Sequence, residues 1–127
     1  MKPKELVSVE ASPALGPYCH GRKYGDMILT SGQIPLDPAT GALVEGGIRE
    51  QTEQVFKNIE AVLAQAGLTM DNVIKTTVFL TDINDFAAMN EIYAAHFGGD
   101  YPARSAVEVG ALPKGAKVEI ETICIRG

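Results

Sequence analysis

The segment Val118-Glu119-Ile120-Glu121-Thr122-Ile123-Cys124-Ile125 constrains the fold more than any other. Rich in β-branched residues, it reads as the body of a final strand over residues 117–126. Val118, Ile120, Thr122 and Cys124 alternate with Glu119, Glu121, Ile123 and Ile125, so both faces of that strand are partly apolar. Val73 to Thr81 behaves the same way, with Ile74, Val78 and Leu80 beside Val73 and Phe79. Apolar side chains on both faces of a sheet need cover on both sides. A chain of 127 residues is the size of one domain. Its helices can cover one face, and a second copy of the chain is the simplest cover for the other.

Two helices are legible. From Ile48 onward, Val55, Phe56, Ile59, Val62, Leu63 and Ala66 fall on one side of a 3.6-residue period, and Gly67 stops the run. A second helix is capped by Asn84 or Asp85, buries Phe86, Met89, Tyr93 and Phe97, and ends at Gly98-Gly99. Ahead of them, Leu6 to Val9 and Tyr24 to Thr30 read as a hairpin-like pair of strands. The stretch joining them carries Pro13, Gly16, Pro17 and Gly21. Pro35 to Gly41 is dense in turn formers and reads as a surface loop, and Ser105 to Val109 as a further strand. The order strands, helix, strand, helix, strands predicts a single α+β domain over residues 1–127, with both helices on one face of a mixed sheet. There is no internal repeat or low-complexity tract.

Several function classes are disfavoured. A net charge of −5 argues against a general phosphate-binding surface and hence against nucleic acid as partner. Without a signal-like apolar run or a membrane-length one, the expected location is cytoplasmic with no membrane contact. Cys19 and Cys124 stand far apart and suggest neither a disulfide framework nor a zinc site; Cys124 reads as a small core residue. His20 and His96 lack the paired spacing of metal ligands, and His96 fits a dipole contact at the end of the second helix. Gly46-Gly47 precedes a helix with no Lys-Ser or Lys-Thr after it, so nucleotide cofactors are not supported.

Three places can carry chemistry. In Tyr101-Pro102-Ala103-Arg104-Ser105 an arginine follows a proline turn at the mouth of a strand, where its planar fork can hold a carboxylate. Most arginines are simply solvated, and the residue types alone favour that plainer account. Glu119 and Glu121 point the same way from a strand of otherwise buried residues. A desolvated carboxylate there has a raised pKa suited to acid-base work, whereas Glu121 fits a solvent-facing or intersubunit charge. Thr30-Ser31-Gly32-Gln33 ends a strand with hydroxyl and amide groups and a glycine that permits close approach.

Five strings in order, Gly16-Pro17-Tyr18, Thr30 to Pro35, Val73 to Leu80, Pro102-Ala103-Arg104-Ser105 and Leu112 to Glu121, make the chain resemble the Rid (YjgF-like) family over nearly its whole length. The arginine places the resemblance in the imine-deaminase branch. The resemblance implies a chorismate-mutase-like α+β fold and a homotrimer whose sheets form a central barrel, with active sites in the clefts between subunits. It implies hydrolysis of 2-iminopropanoate, 2-iminobutanoate and similar 2-imino acids to 2-oxo acids and ammonia, without a cofactor or metal. By the same carry-over, Arg104 pairs with the substrate carboxylate and Glu119 positions and activates the attacking water. Tyr18 closes the pocket, Ser31 and Asn90 support orientation, and the Ala106 carbonyl orients the substrate nitrogen or water. Many relatives carry cysteine where this chain has Ala106, so thiol chemistry there is excluded. Gly98-Gly99-Asp100-Tyr101 is shorter than in some relatives, which alters the pocket rim. Family members have also been described as translation inhibitors, ribonucleases and chaperones, so a metabolite-binding regulatory role is the alternative from another class. A deaminase for larger enamines of the aminomuconate type is a third.

Overall fold

The strand with two apolar faces lies inside the sheet, flanked on both sides. In the computed structural model, which describes residues 7–9 and 14–127, the elements run β1 (Val7–Val9), β2 (Gly21–Tyr24), β3 (Met27–Thr30), α1 (Ile48–Gln65), β4 (Val73–Leu80), α2 (Phe86–Ala95), β5 (Ala103–Glu108) and β6 (Val118–Ile125). The strands form one six-stranded sheet in the order β1-β2-β3-β6-β4-β5. Every neighbouring pair is antiparallel except β4 with β5. A parallel pair cannot be joined by a tight turn, and α2 is the crossover between these two. The fold is the expected α+β arrangement with a mixed sheet.

The core sits between the helices and one sheet face. Val55, Phe56, Ile59 and Leu63 of α1, with Met89 and Tyr93 of α2, pack on Ile28, Val78, Leu80, Val118, Ile120 and Cys124. Phe56 is fully buried and meets the rings of Tyr93 and Phe97 edge-on. Hydroxyl pairs inside the core satisfy one another, Thr30 with Thr122 at 2.9 Å and Thr76 with Tyr93 at 2.7 Å. The opposite face carries Met27 and Leu29 in register with Ile125 and Ile123, and Val107 in register with Phe79. Met27, Leu29 and Val107 are exposed there.

Four local readings change. Residues 24–30 are not one strand: Gly25, at φ +58°, and Asp26 turn the chain so that Tyr24 pairs with Met27. Gly21 accordingly belongs to β2 rather than to the connecting stretch, and β1 pairs with β2. Leu6 and Pro13 lie outside the described residues. The second helix is preceded by a single 3₁₀ turn at Ile83–Asp85, which Asp82 caps by accepting from the Asn84 amide at 2.9 Å. Asp85 stands at the α2 N-cap without a side-chain cap bond, and α2 itself ends at Ala95, ahead of Gly98-Gly99. His96 does more than meet a dipole: its ring stacks on Phe56 at 4.3 Å, and its nitrogens lie 3.3 Å from Glu53 and Glu60 carboxylates of α1.

Gly67 ends α1 as expected. At φ +73° it lets its own amide reach the Ala64 carbonyl and the Leu68 amide reach that of Leu63, which seats Leu68 in the core. Because Phe56 joins both helices to the sheet, Phe56→Ala should lower the unfolding free energy by about 3–5 kcal/mol. Chemical denaturation checks this, and a loss of about 1 kcal/mol or less would mean that the helix pair does not depend on that ring.

Candidate active site

Arg104 is the second residue of β5 and is in register with Thr76 of β4. Registered neighbours share a face, so the arginine rises on the helix-covered side beside buried Thr76. There α2 holds it. An Nη1 proton is donated to Asn90 Oδ1 at 2.7 Å, and the guanidinium carbon lies 4.7 Å from the Tyr93 ring centre and 5.3 Å from that of Phe86. Ring faces attract the cation, and the Tyr93–Thr76 bond fixes one of those rings. The planar fork is thus aimed before any ligand arrives, with donors left beyond the one used by Asn90. Tyr101, Pro102 and Ala94 complete an open depression around it. Ala106 follows on the same face, half-buried against the core.

Glu119 is in register with Phe79 and therefore points to the other face. Its carboxyl packs on Gly32: a Cβ at that position would meet the Glu119 Cδ and Oε1 atoms at 2.7 Å, so only glycine lets the acid lie there. Burial raises the Glu119 pKa, and the charge of Glu121 raises it further. A raised folded-state pKa means that this group's contribution to stability is fully present below the ordinary glutamate pKa and is lost as pH rises through the folded value.

Around that carboxyl, Ser31 donates its hydroxyl proton to the Cys19 carbonyl at 2.7 Å, while its amide meets the His20 carbonyl at 2.8 Å. Tyr18 is exposed and stands edge-on to the His20 ring at 5.9 Å. Gln33 Nε2 lies 3.1 Å from His20 Nδ1, both residues being buried. Tyr18, His20, Gly32 and Gln33 are among the residues that line a cavity between residues 14–20 and 32–41.

A single chain does not bring these two corners together. Arg104 and Glu119 lie on opposite faces and on strands flanking β4. Their partners Thr76 and Phe79 are three residues, about 10 Å, apart along that strand. Arg104 with Asn90 forms one corner; at the other, Glu119 packs on Gly32, which follows Ser31 in the chain and lines a cavity together with Tyr18. The aromatic platform of Phe86 and Tyr93 could not be told in the sequence from an ordinary buried helix stripe, and the Gly32 seat had no signal beyond a glycine at a strand end. Among the described residues no group of three or more His, Cys, Asp or Glu side chains could hold a metal ion. No described helix is long and apolar enough to cross a membrane.

In a carbon-detected titration the Glu119 carboxyl should therefore lose its proton above the ordinary glutamate range, and Glu121→Gln should bring it part of the way back. A Glu119 that titrates at the ordinary value would show a solvated carboxyl instead.

Residues 9–126 match the family model described as endoribonuclease L-PSP. The chain is 50% identical over 124 residues to a RutC family protein of Pyrococcus horikoshii, covering 97% of this chain and 98% of that one. It is 46% identical over 124 residues to a mouse 2-iminobutanoate/2-iminopropanoate deaminase, covering 98% of this chain and 92% of the other. A crystal structure of a Rid-family protein from Yersinia pestis superposes with a TM-score of 0.91 at 51% identity, covering 95% of this chain and 99% of that one.

Proposed function

Because the chain belongs to the Rid (YjgF-like) family, we propose that it hydrolyses 2-imino acids such as 2-iminopropanoate and 2-iminobutanoate to 2-oxo acids and ammonia, at a site completed by a second copy of itself. The observation that carries this reading is the preset arginine fork. Held by Asn90 and two aromatic rings, with donors to spare, Arg104 suits a planar carboxylate next to the reacting carbon. Glu119, on the opposite face, has the raised pKa that suits a base and acid working in turn.

In the proposed reaction the substrate binds as the protonated iminium, its carboxylate on Arg104. Glu119 accepts a proton from water as the water oxygen bonds to the C=N carbon and the π pair moves to nitrogen. The same carboxyl then returns the proton to that nitrogen. Ammonia leaves as the carbinol oxygen closes to the carbonyl, the hydroxyl proton passing to the Glu119 carboxylate and from there to the departing ammonia, which leaves as ammonium. Water is the only co-reactant consumed. Asn90 acts through Arg104 by fixing its direction. Tyr18 closes over the substrate, and Ser31, whose proton is engaged by Cys19, offers oxygen lone pairs. The Ala106 carbonyl, on the strand that bears Arg104, orients the substrate nitrogen or the water. A homotrimer is the expected assembly, and exposed Tyr24, Met27, Leu29 and Val107 give its subunits an apolar surface to bury. The family model bears a nuclease description, but a net charge of −5 weighs against affinity for a phosphate backbone.

Coupling the protein to an amino-acid oxidase or threonine dehydratase, with semicarbazide trapping the free imine, tests the activity. The wild type should divert imine to the oxo acid, and Arg104→Ala should lower that flux by at least about 100-fold with assembly unchanged, a loss of the size expected when a positioning contact disappears. Diversion by both proteins would remove the arginine from the mechanism, and diversion by neither would remove the deaminase reading.

A mixing experiment tests the shared site. Arg104→Ala and Glu119→Gln are each expected to be inactive, yet subunits exchanged between equal amounts of the two should regain about a quarter of wild-type activity, since one site in four draws both residues intact from different chains of a closed ring. No recovery after verified exchange would place Arg104 and Glu119 in the same chain's site.

A further inference from the structure

We propose that the cavity between residues 14–20 and 32–41 receives the side chain of the imino acid, so that substrates with an apolar chain of three or four carbons are favoured over 2-iminopropanoate. The inference rests on the deaminase reading of the site and goes beyond it by assigning the substrate's third substituent. An imine carbon carries a carboxyl group, a nitrogen and a side chain. Arg104 takes the first, and Glu119 and its water act at the carbon. The side chain must leave that carbon beside Glu119, and Gly32, on which the Glu119 carboxyl packs, is also one of the residues that line this cavity.

The cavity suits an apolar group. Its volume is about 210 Å³, and Leu15, Ile34, Leu36 and Pro38 contribute its hydrocarbon wall. At roughly 30 Å³ per water in the liquid, the single methyl of 2-iminopropanoate would leave most of it to solvent, whereas an isobutyl group would displace several waters. Asp37 also lines the cavity, its Oδ1 accepting from the Ala39 amide at 2.9 Å, and its charge disfavours acidic side chains.

The far wall is fixed before binding. Asn58 donates from Nδ2 to the carbonyls of Ile34 at 3.1 Å and Leu36 at 2.9 Å, and Gln54 in turn donates to Asn58 Oδ1 at 2.9 Å. Leu36 bridges to Leu43, and Lys114, held at φ +58°, reaches the Gly41 carbonyl with its ammonium at 3.4 Å. A wall tied from three sides can discriminate by size, because it does not collapse onto a small substrate.

The test compares kcat/KM for the imines of leucine and alanine, each generated by an amino-acid oxidase, in the wild type and in two variants that narrow the cavity from opposite sides, Leu15→Trp and Pro38→Trp. Both positions are exposed, so neither change disturbs the core. The wild type should favour the leucine-derived imine by about 10-fold or more, and each variant should reduce that ratio by about 10-fold, the effect of filling a pocket by a methylene or more. Turnover of both imines at a ratio that neither variant moves would overturn the side-chain pocket and leave the deaminase standing. Absence of turnover with either imine in the wild type would overturn both.

Discussion

The rest of the structure depends on the position of β6 between β3 and β4. Its even-numbered residues close the core against both helices, and for that reason its odd-numbered residues point the other way. A one-residue slip would send Glu119 and Glu121 into the core and Ile120 out of it, at a cost no small domain could absorb. The register that stabilises the fold is therefore the same register that presents the acid. The Gly32 seat follows from it, because Gln33 bridges to Ile120 in both directions and carries Gly32 against Glu119.

Stability and site are joined on the opposite face as well. Tyr93 is a core residue that packs on Phe56 and Phe97, and it is also the ring nearest the Arg104 guanidinium. Its hydroxyl bond to Thr76 ties that ring to the strand on which β5 is registered. The arginine is thus preset by groups whose first task is packing. An arginine on a free loop would have to lose its rotamer freedom on binding, whereas this one has largely lost it on folding.

The periodic elements were legible in the sequence because burial writes itself as spacing: Val55, Phe56, Ile59 and Val62 on α1, and the alternation along β6, all hold. The β2–β3 turn was missed because Gly25-Asp26 is only two residues long, and the reversal shows in the pairing of Tyr24 with Met27 rather than in any local composition. Asp85 does stand at the α2 N-cap, but its side chain makes no cap bond, and the preceding 3₁₀ turn with its own cap at Asp82 gave no separate signal in the run Asp82 to Asp85. In the site, Glu119 stood out as a carboxylate on a strand of buried residues, whereas Arg104 was singled out by the resemblance, its residue type alone favouring a solvated side chain. That they lie on opposite faces is a matter of register with Thr76 and Phe79, two strand pairings that no local spacing encodes.

That separation links assembly to activity in the proposed mechanism. β5 is an edge strand, so Arg104 stands at one border of the sheet, while Glu119 stands on the sheet's open face. In that mechanism the fork and the base of one chain serve different substrates, because they lie on opposite faces of its sheet. The proposed hydrolysis would then need the edge of one copy laid against the open face of another, a contact that would also cover the exposed Met27, Leu29 and Val107. The apolar residues that force β6 to find a second cover are, in this view, what brings the two halves of the site into reach of one substrate.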